Sequence, residues 1–192
     1  MKRDSFTFKQ LKSSFYSCEK DAETIINKLF VSSNPYSEDL KRLLIINTKD
    51  CLDKSNTKYQ EIVKNTSVKE LFEEKYISLV PKVEMKEHQN VKAFVVINFD
   101  NFSFTSNPEF RDCVVSFDIY CHLDCWDLGD YALRPMKIAG IIDGILNNTK
   151  LSGIGTFRFL SFNQIIVNED YAGYSLMFEA VHGGDDQIPP EV

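Results

Sequence analysis

The segment that most constrains this chain is Cys113–His122, CVVSFDIYCH, together with the connection and helical stretch directly behind it. Val115, Phe117, Ile119 and Cys121 fall on one face of an extended chain, and Val114, Ser116, Asp118, Tyr120 and His122 on the other. A period of two with one apolar face predicts a half-buried strand of an antiparallel sheet. The acidic connection Leu123–Ala132 then leads to Arg134-Pro135. Proline suits the first turn of a helix, where its missing N–H has no partner to lose. Ile138, Ile141, Ile142, Ile145 and Leu146 recur behind it at helical spacing. The unit is strand, connection, helix.

Strand-like sequence lies on both sides of that unit. Ile77, Leu79 and Val83 alternate with Ser78 and Lys82, and Pro81 makes this an edge strand or an interrupted one. Val91–Asp100 predicts a long strand. Phe102–Thr105 continues it as a hairpin arm as far as the Asn107-Pro108 turn. After the helix, Gly153-Ile154-Gly155 predicts a turn. Thr156–Val167 predicts a strand with Phe157, Phe159 and Leu160 inward and a bend near Ser161–Asn163. Asn168-Glu169-Asp170 turns into a last strand, Tyr171–His182, with Tyr174, Leu176, Phe178 and Ala180 on one face. Gly140 and Gly144 each cost about 1 kcal/mol against alanine in an exposed helix. Their spacing predicts close approach of that helix to a sheet or to another subunit.

The N-terminal part has helical spacing. Ala22, Ile25, Ile26, Leu29 and Phe30 form one stripe, which Ser33-Asn34-Pro35 ends. Ser37 is read as the N-cap of a second helix carrying Leu40, Leu43 and Leu44. The run Leu43–Ile46 also fits a short buried strand, but its flanking charges favour helix. Asp53–Lys58 reads as a polar loop. Ser67-Val68-Lys69-Glu70 is a capping box opening a helix to about Lys75. Residues 1–16 carry Phe6, Phe8, Leu11, Phe15 and Tyr16, many large groups for a free tail, and predict an arm that packs on a neighbour. The fold class expected is α+β, an antiparallel sheet with a crossing helix (ββαββ) after an N-terminal helical segment. The divisions are 1–75 for arm and helices, 76–183 for the sheet-and-helix core and 184–192 for a polar tail.

Of the 192 residues, 43% are hydrophobic and 12% aromatic, enough for a sizeable core. The net charge of −6 repels the DNA backbone and argues against a general phosphate clamp. Cys18, Cys51, Cys113, Cys121 and Cys125 are odd in number and irregular in spacing. Met1–Lys12 lacks the apolar segment of a signal peptide. Reduced thiols in a protein made in the cytosol are therefore expected. The apolar runs are too short to span a bilayer, and no membrane role is expected.

Five chemistries can be weighed against the residues. Cys121, His122 and Cys125 form the most metal-like cluster, and a cytosolic metal-binding protein or enzyme built on them is the alternative reading. On a strand, however, Cys121 and His122 point to opposite faces, and only Cys113 and His182 offer distant further ligands. Cys113 or Cys121 as a nucleophile, with His88 or His182 as base, lacks an activating motif. Gly153-x-Gly155 lacks the lysine and helix of a phosphate loop. The acidic residues Asp118, Asp124, Asp127 and Asp130 lack the regular spacing of a calcium loop. Strands rich in phenylalanine stack bases when lysine and arginine interleave, which they do not here. No catalytic, cofactor or metal residues are assigned.

A resemblance goes further. Asn107–Asp112 (NPEFRD), VVSFDIYCH, WDLGDYALRP, KIAGIIDGIL, Leu151–Leu160 (LSGIGTFRFL) and Tyr171–Gly183 (YAGYSLMFEAVHG) together resemble the neck and tail-terminator (tail-completion, head–tail connector) ring proteins of tailed bacteriophages. The resemblance covers about residues 77–183. It implies a virion protein with no enzymatic activity, in a ring of six copies, or twelve against the portal, around the DNA channel. Portal, adaptor or tail-tube proteins are the implied partners, and genomic DNA passes without specific binding. Subunit contacts are expected at Tyr76, Leu79, Phe99, Phe102, Phe104, Gly140 and Gly144. Asp118, Asp124, Asp127 and Asp130 are expected to face the lumen. A host-encoded interaction domain is the third reading.

Overall fold

The computed structural model describes residues 18–79, 91–104, 111–152 and 154–181. Helix α1 (Cys18–Ile26) passes into a π-helical turn, Asn27–Val31, and α2 (Pro35–Ile45), α3 (Thr57–Asn65) and α4 (Val68–Glu73) come next. Then come β1 (Ile77–Ser78), β2 (Ala93–Phe104), β3 (Arg111–His122), a 3-10 turn at Leu123–Cys125, α5 (Arg134–Leu146), β4 (Lys150–Leu151), β5 (Gly155–Ile166) and β6 (Tyr171–Val181). The class is α+β, as the alternation and helical spacing predicted. Asn107-Pro108, Pro81, Val83, His182 and the arm 1–16 lie outside the described residues.

The sheet runs β1-β2-β3-β6-β5-β4. Its four long strands are antiparallel neighbours, and β1 adds a parallel pair at the β2 edge. The ββαββ order is thus present, with a two-residue strand added at each margin. β2 runs on to Phe104 through a bulge between Asp100 and Ser103. The face predicted for β3 is the core face: Val115, Phe117, Ile119 and Cys121 are fully buried. They join one hydrophobic core with Ile25, Leu29, Leu40, Leu43 and Leu44 of the N-terminal helices and Ile138, Ile142, Ile145 and Leu146 of α5. Burying one such side chain contributes about 1.5–3 kcal/mol. Across the sheet, Phe94, Val96 and Tyr171, with Tyr120 half-buried against them, form a second, small cluster.

Local readings hold in part. The Ser67 capping box is present: its side chain accepts from the N–H of Glu70, whose carboxylate accepts from the N–H of Ser67 at 2.6 Å. α2 does not start at Ser37. Asn34 is its N-cap, accepting from the N–H of Tyr36, and Pro35 occupies the first turn. Ser37 is buried inside the helix, its hydroxyl 3.1 Å from that of Ser32. The proline read as a stop is thus equally a start. The loop read at Asp53–Lys58 gives way at Thr57 to α3, capped by Asn56. Only Val63 of α3 is buried, so its apolar spacing is faint. In β5, Phe157 is buried as expected, but Phe159 and Leu160 are 49% and 52% exposed. Phe159 keeps the register and side of Phe157, opposite Phe178, and is exposed at the sheet margin, while a bulge at Leu160 shifts the register beyond it.

Candidate functional site

The first candidate is the start of α5. Arg134 is fully buried and its guanidinium is spent on backbone carbonyls. Nε donates to Cys125 at 2.6 Å, Nη1 to Leu43 and Ile46 at 2.7 Å each, and Nη2 to Thr48 at 2.8 Å. Leu43 and Ile46 close α2, where carbonyls lack helical partners and the dipole is negative. A planar fork with five donors suits this work. The site is a clasp that joins the helical layer to the sheet connection.

Around it lie the thiols of the metal reading. Cys51, Cys121 and Cys125 are buried and free, and Arg134 Nη1 lies 3.6 Å from Cys51 Sγ. Burial pushes all three thiols up, and the nearby guanidinium only partly opposes it, so they stay protonated at neutral pH. Cys125 Sγ donates to the carbonyl of His122 at 3.3 Å, while His122 Nδ1 accepts from the N–H of Asp124 on the far side. Among the described residues no three His, Cys, Asp or Glu side chains converge as a metal would need. His182 lies outside the described residues.

The four acidic candidates occupy different settings. Asp118 projects from the sheet face opposite the main core, accepting from Asn98 Nδ2 at 2.8 Å and Ser175 Oγ at 2.6 Å. Asp127 is paired with Lys49 at 2.6 Å, and that hydrogen bond holds its carboxyl below the ordinary range. Asp124 is largely exposed beside His122, at 3.6 Å. Asp130 is exposed on a left-handed tip formed by Gly129, Asp130 and Tyr131, with φ of 84°, 48° and 62°.

That tip holds Tyr131 wholly in solvent, an unusual place for a tyrosine in a left-handed conformation. It borders a groove of about 630 Å3 along α5, lined by Met136, Gly140 and Ile141 among others. A Cβ added at Gly140 or Gly144 would meet nothing within 4 Å. Neither glycine therefore lets α5 approach the sheet, one of the two uses predicted for them.

The remaining candidates sit at the β2 margin. Tyr76 is half-buried under Lys92, whose Nζ lies 5.5 Å from its ring centroid. Leu79 is 41% exposed, and Phe99 packs half-buried against the core. Phe102 and Phe104 lie on β2, where only their backbone is described. β1 covers β2 only opposite Val95 and Val96. At the other margin, β4 covers β5 only opposite Gly155 and Thr156. Among the described residues no strand pairs with the outer edges of Ile97–Phe104 or Leu160–Ile166. Reading by residue type missed both the β5 margin and Arg134. The doubled Phe159-Leu160 breaks the alternation and could have flagged the first.

The arrangement is thus that of an α+β domain with a buried core and two sheet margins that, among the described residues, are only partly paired. The chain belongs to the YomW family, whose model matches residues 37–180. That family is phage-derived, which points to a phage protein. Neither the curated proteins nor the solved structures contain a match. Among the described residues no helix is long and apolar enough to cross a membrane.

Proposed function

We propose that this protein is a structural component of the virion, a ring at the head–tail interface around the DNA channel. The observation that carries the reading is the pair of margins, on β2 and β5, that no other strand among the described residues covers beyond the two-residue β1 and β4. An unpaired strand edge is a template for another chain, and evolution ordinarily covers or charges it. Two different edges on opposite sides of one sheet suit a head-to-tail contact, which closes into a ring when the rotation between copies allows. Phage-derived family membership supports the virion setting, with portal, adaptor or tail-tube proteins as neighbours. Asp118, Asp124 and Asp130 add negative charge that keeps passing DNA from sticking.

The test is the mass of the purified protein by light scattering, with negative-stain images of the same sample. Rings of six or twelve copies are expected. A chain that stays monomeric at high concentration and together with its neighbouring virion proteins overturns the reading.

A further inference from the structure

We infer that two copies of this chain pair about a two-fold axis, each seating Tyr131 in the α5 groove of the other, over Gly140. The pairing goes beyond the ring reading and does not rest on it. It joins two single copies or, where rings form, two rings face to face.

The tip that carries Tyr131 is built to hold it outward. The N–H of Leu128 donates to the carbonyl of Ala132 at 2.9 Å, and the N–H of Ala132 to the carbonyl of Gly129 at 2.8 Å. A bridge between Asp127 and Leu133 closes the base. Asp127 Oδ1 accepts from the N–H of Gly129 at 2.8 Å, and Oδ2 holds Lys49, which lies beyond the end of α2. Residues with a Cβ disfavour a positive φ, yet Asp130 and Tyr131 both adopt one, at 48° and 62°. The conformation buries nothing, because Tyr131 stands wholly in solvent. A strained backbone that packs no side chain in its own copy points to a role outside it.

The groove lies directly behind the tip, along the first turns of α5. Gly140 is exposed there, and a Cβ built on it meets nothing within 4 Å. The helix backbone is bare at that point, so a flat ring can come down on it. Met136, one turn earlier and 46% exposed, offers a thioether, which packs well against aromatic rings. Knob and groove share one surface, so each copy can give and receive at once, as an isologous contact requires. Tyrosine is a frequent anchor of such contacts.

The charges select a second copy as the occupant. Lys137 stands one turn before Gly140 on the same side of α5. A tyrosine seated at Gly140 therefore brings its chain neighbour, Asp130, to Lys137, and the two-fold axis makes that pair twice. Both residues are exposed, and among the described residues neither makes an ion pair or a side-chain hydrogen bond in its own copy. Asp127, the other acid of the tip, is already matched by Lys49. Asp143, one turn beyond Gly140, is half-buried and does not line the groove. A partner of one sign would leave Asp130 or Lys137 unmatched, whereas a second copy matches both.

The experiment follows the mass of the full chain by light scattering across concentration, with circular dichroism for the fold. The wild type is expected to double, from one copy to two or from one ring to two. Tyr131→Asn removes the ring but keeps a residue that tolerates the left-handed backbone. It should keep the native spectrum and raise the dissociation constant of the doubling step by about tenfold or more. Asp130→Lys and Lys137→Glu each set like charges together and should also weaken doubling. An equimolar mixture of those two variants puts opposite charges at both contacts and should recover it as one-to-one pairs. A wild type that never doubles, a Tyr131→Asn variant that doubles as before, or a mixture no better than its components overturns the pairing. Rings that form without doubling overturn the pairing alone, and doubling without rings leaves the pairing standing and counts against the ring.

Discussion

The middle of the sheet and its margins follow different rules. At β3 and β6 every position is matched to a neighbour: Phe117 meets Phe178 edge to face with centroids 5.9 Å apart, and Asp118 is held from both sides by Asn98 and Ser175. At β5 the apolar residues Leu160 and Ile166 stand in solvent beside backbone that no described strand pairs. The middle shows what the chain needs in order to fold. The margins show surface that no described element covers. Substitutions should therefore separate cleanly, with stability lost in the middle and association lost at the margins.

The sharpest break is at Gly173. A Cβ there would lie 1.7 Å from the carbonyl oxygen of Ile119 and 3.2 Å from Cα of Tyr120, both backbone atoms that cannot swing away. Gly173→Ala should force β3 and β6 apart and cost about 4 kcal/mol or more, the range of exceptional substitutions. Thermal unfolding followed by circular dichroism should show no cooperative transition near that of the wild type. A variant that melts within a few degrees of wild type would mean the central ladder can shift, and the contrast with the margins would weaken.

Next comes Arg134→Met. It strands the carbonyls of Cys125, Leu43, Ile46 and Thr48 in the interior, and breaking a buried charged network by removing one partner costs about 3–5 kcal/mol. Arg134→Lys should recover little, because an ammonium cannot reach carbonyls fanned over a planar fork. Urea denaturation of both variants checks this. A loss below about 1 kcal/mol for methionine would show that hydrophobic contact alone joins the helical layer to the sheet.

A smaller effect is expected in alkali. Burial, and then nearby Cys125, pushes the hydroxyl of Tyr171 up to about 12 from an ordinary value of 10.0. The folded chain therefore keeps a proton that the unfolded chain releases first. The stability this supplies is complete below about pH 10, declines above it, and is gone once pH passes about 12. Tyr171→Phe should flatten that decline in denaturant midpoints measured from pH 9 to 12. An unchanged slope would remove Tyr171 as its source.

Much of the middle was legible from residue order. The alternation in Cys113–His122 and the isoleucine spacing behind Pro135 each report one strong physical preference, for a two-sided strand and for a striped helix. Elements held by sparse or distant partners were not. α3 buries one valine, so its period is faint. Arg134 looks like an ordinary helix-start arginine until Leu43 and Thr48, some ninety residues earlier, come round to meet it. β1 and β4 are two residues each, below what any periodicity can reveal. The margins were half legible. The segment that begins at Ile77 was read as an edge or interrupted strand, and β1 does lie at the sheet margin, whereas the register shift at Leu160 is a bulge that has no fixed residue code. For the acidic candidates, composition located the charges but not their pairing, since the lysine that neutralises Asp127 is Lys49, far away in sequence.

The mildest substitution asks the most of the comparison. Gly140 sits on the exposed side of α5, and a methyl group added there touches nothing within 4 Å. Within a single copy, then, glycine at this position is a pure loss of helix propensity, and Gly140→Ala should stabilise the fold by about 0.5–1 kcal/mol. Thermal unfolding of dilute protein, where no ring persists, isolates that gain. If the α5 groove beside Tyr131 also receives a neighbouring copy, the same methyl group should weaken the assembly at high concentration while it strengthens the monomer. Opposite signs in those two measurements would extend the open margin from the sheet edges to α5. A stabilised monomer with unchanged assembly would confine the contact surface to β2 and β5.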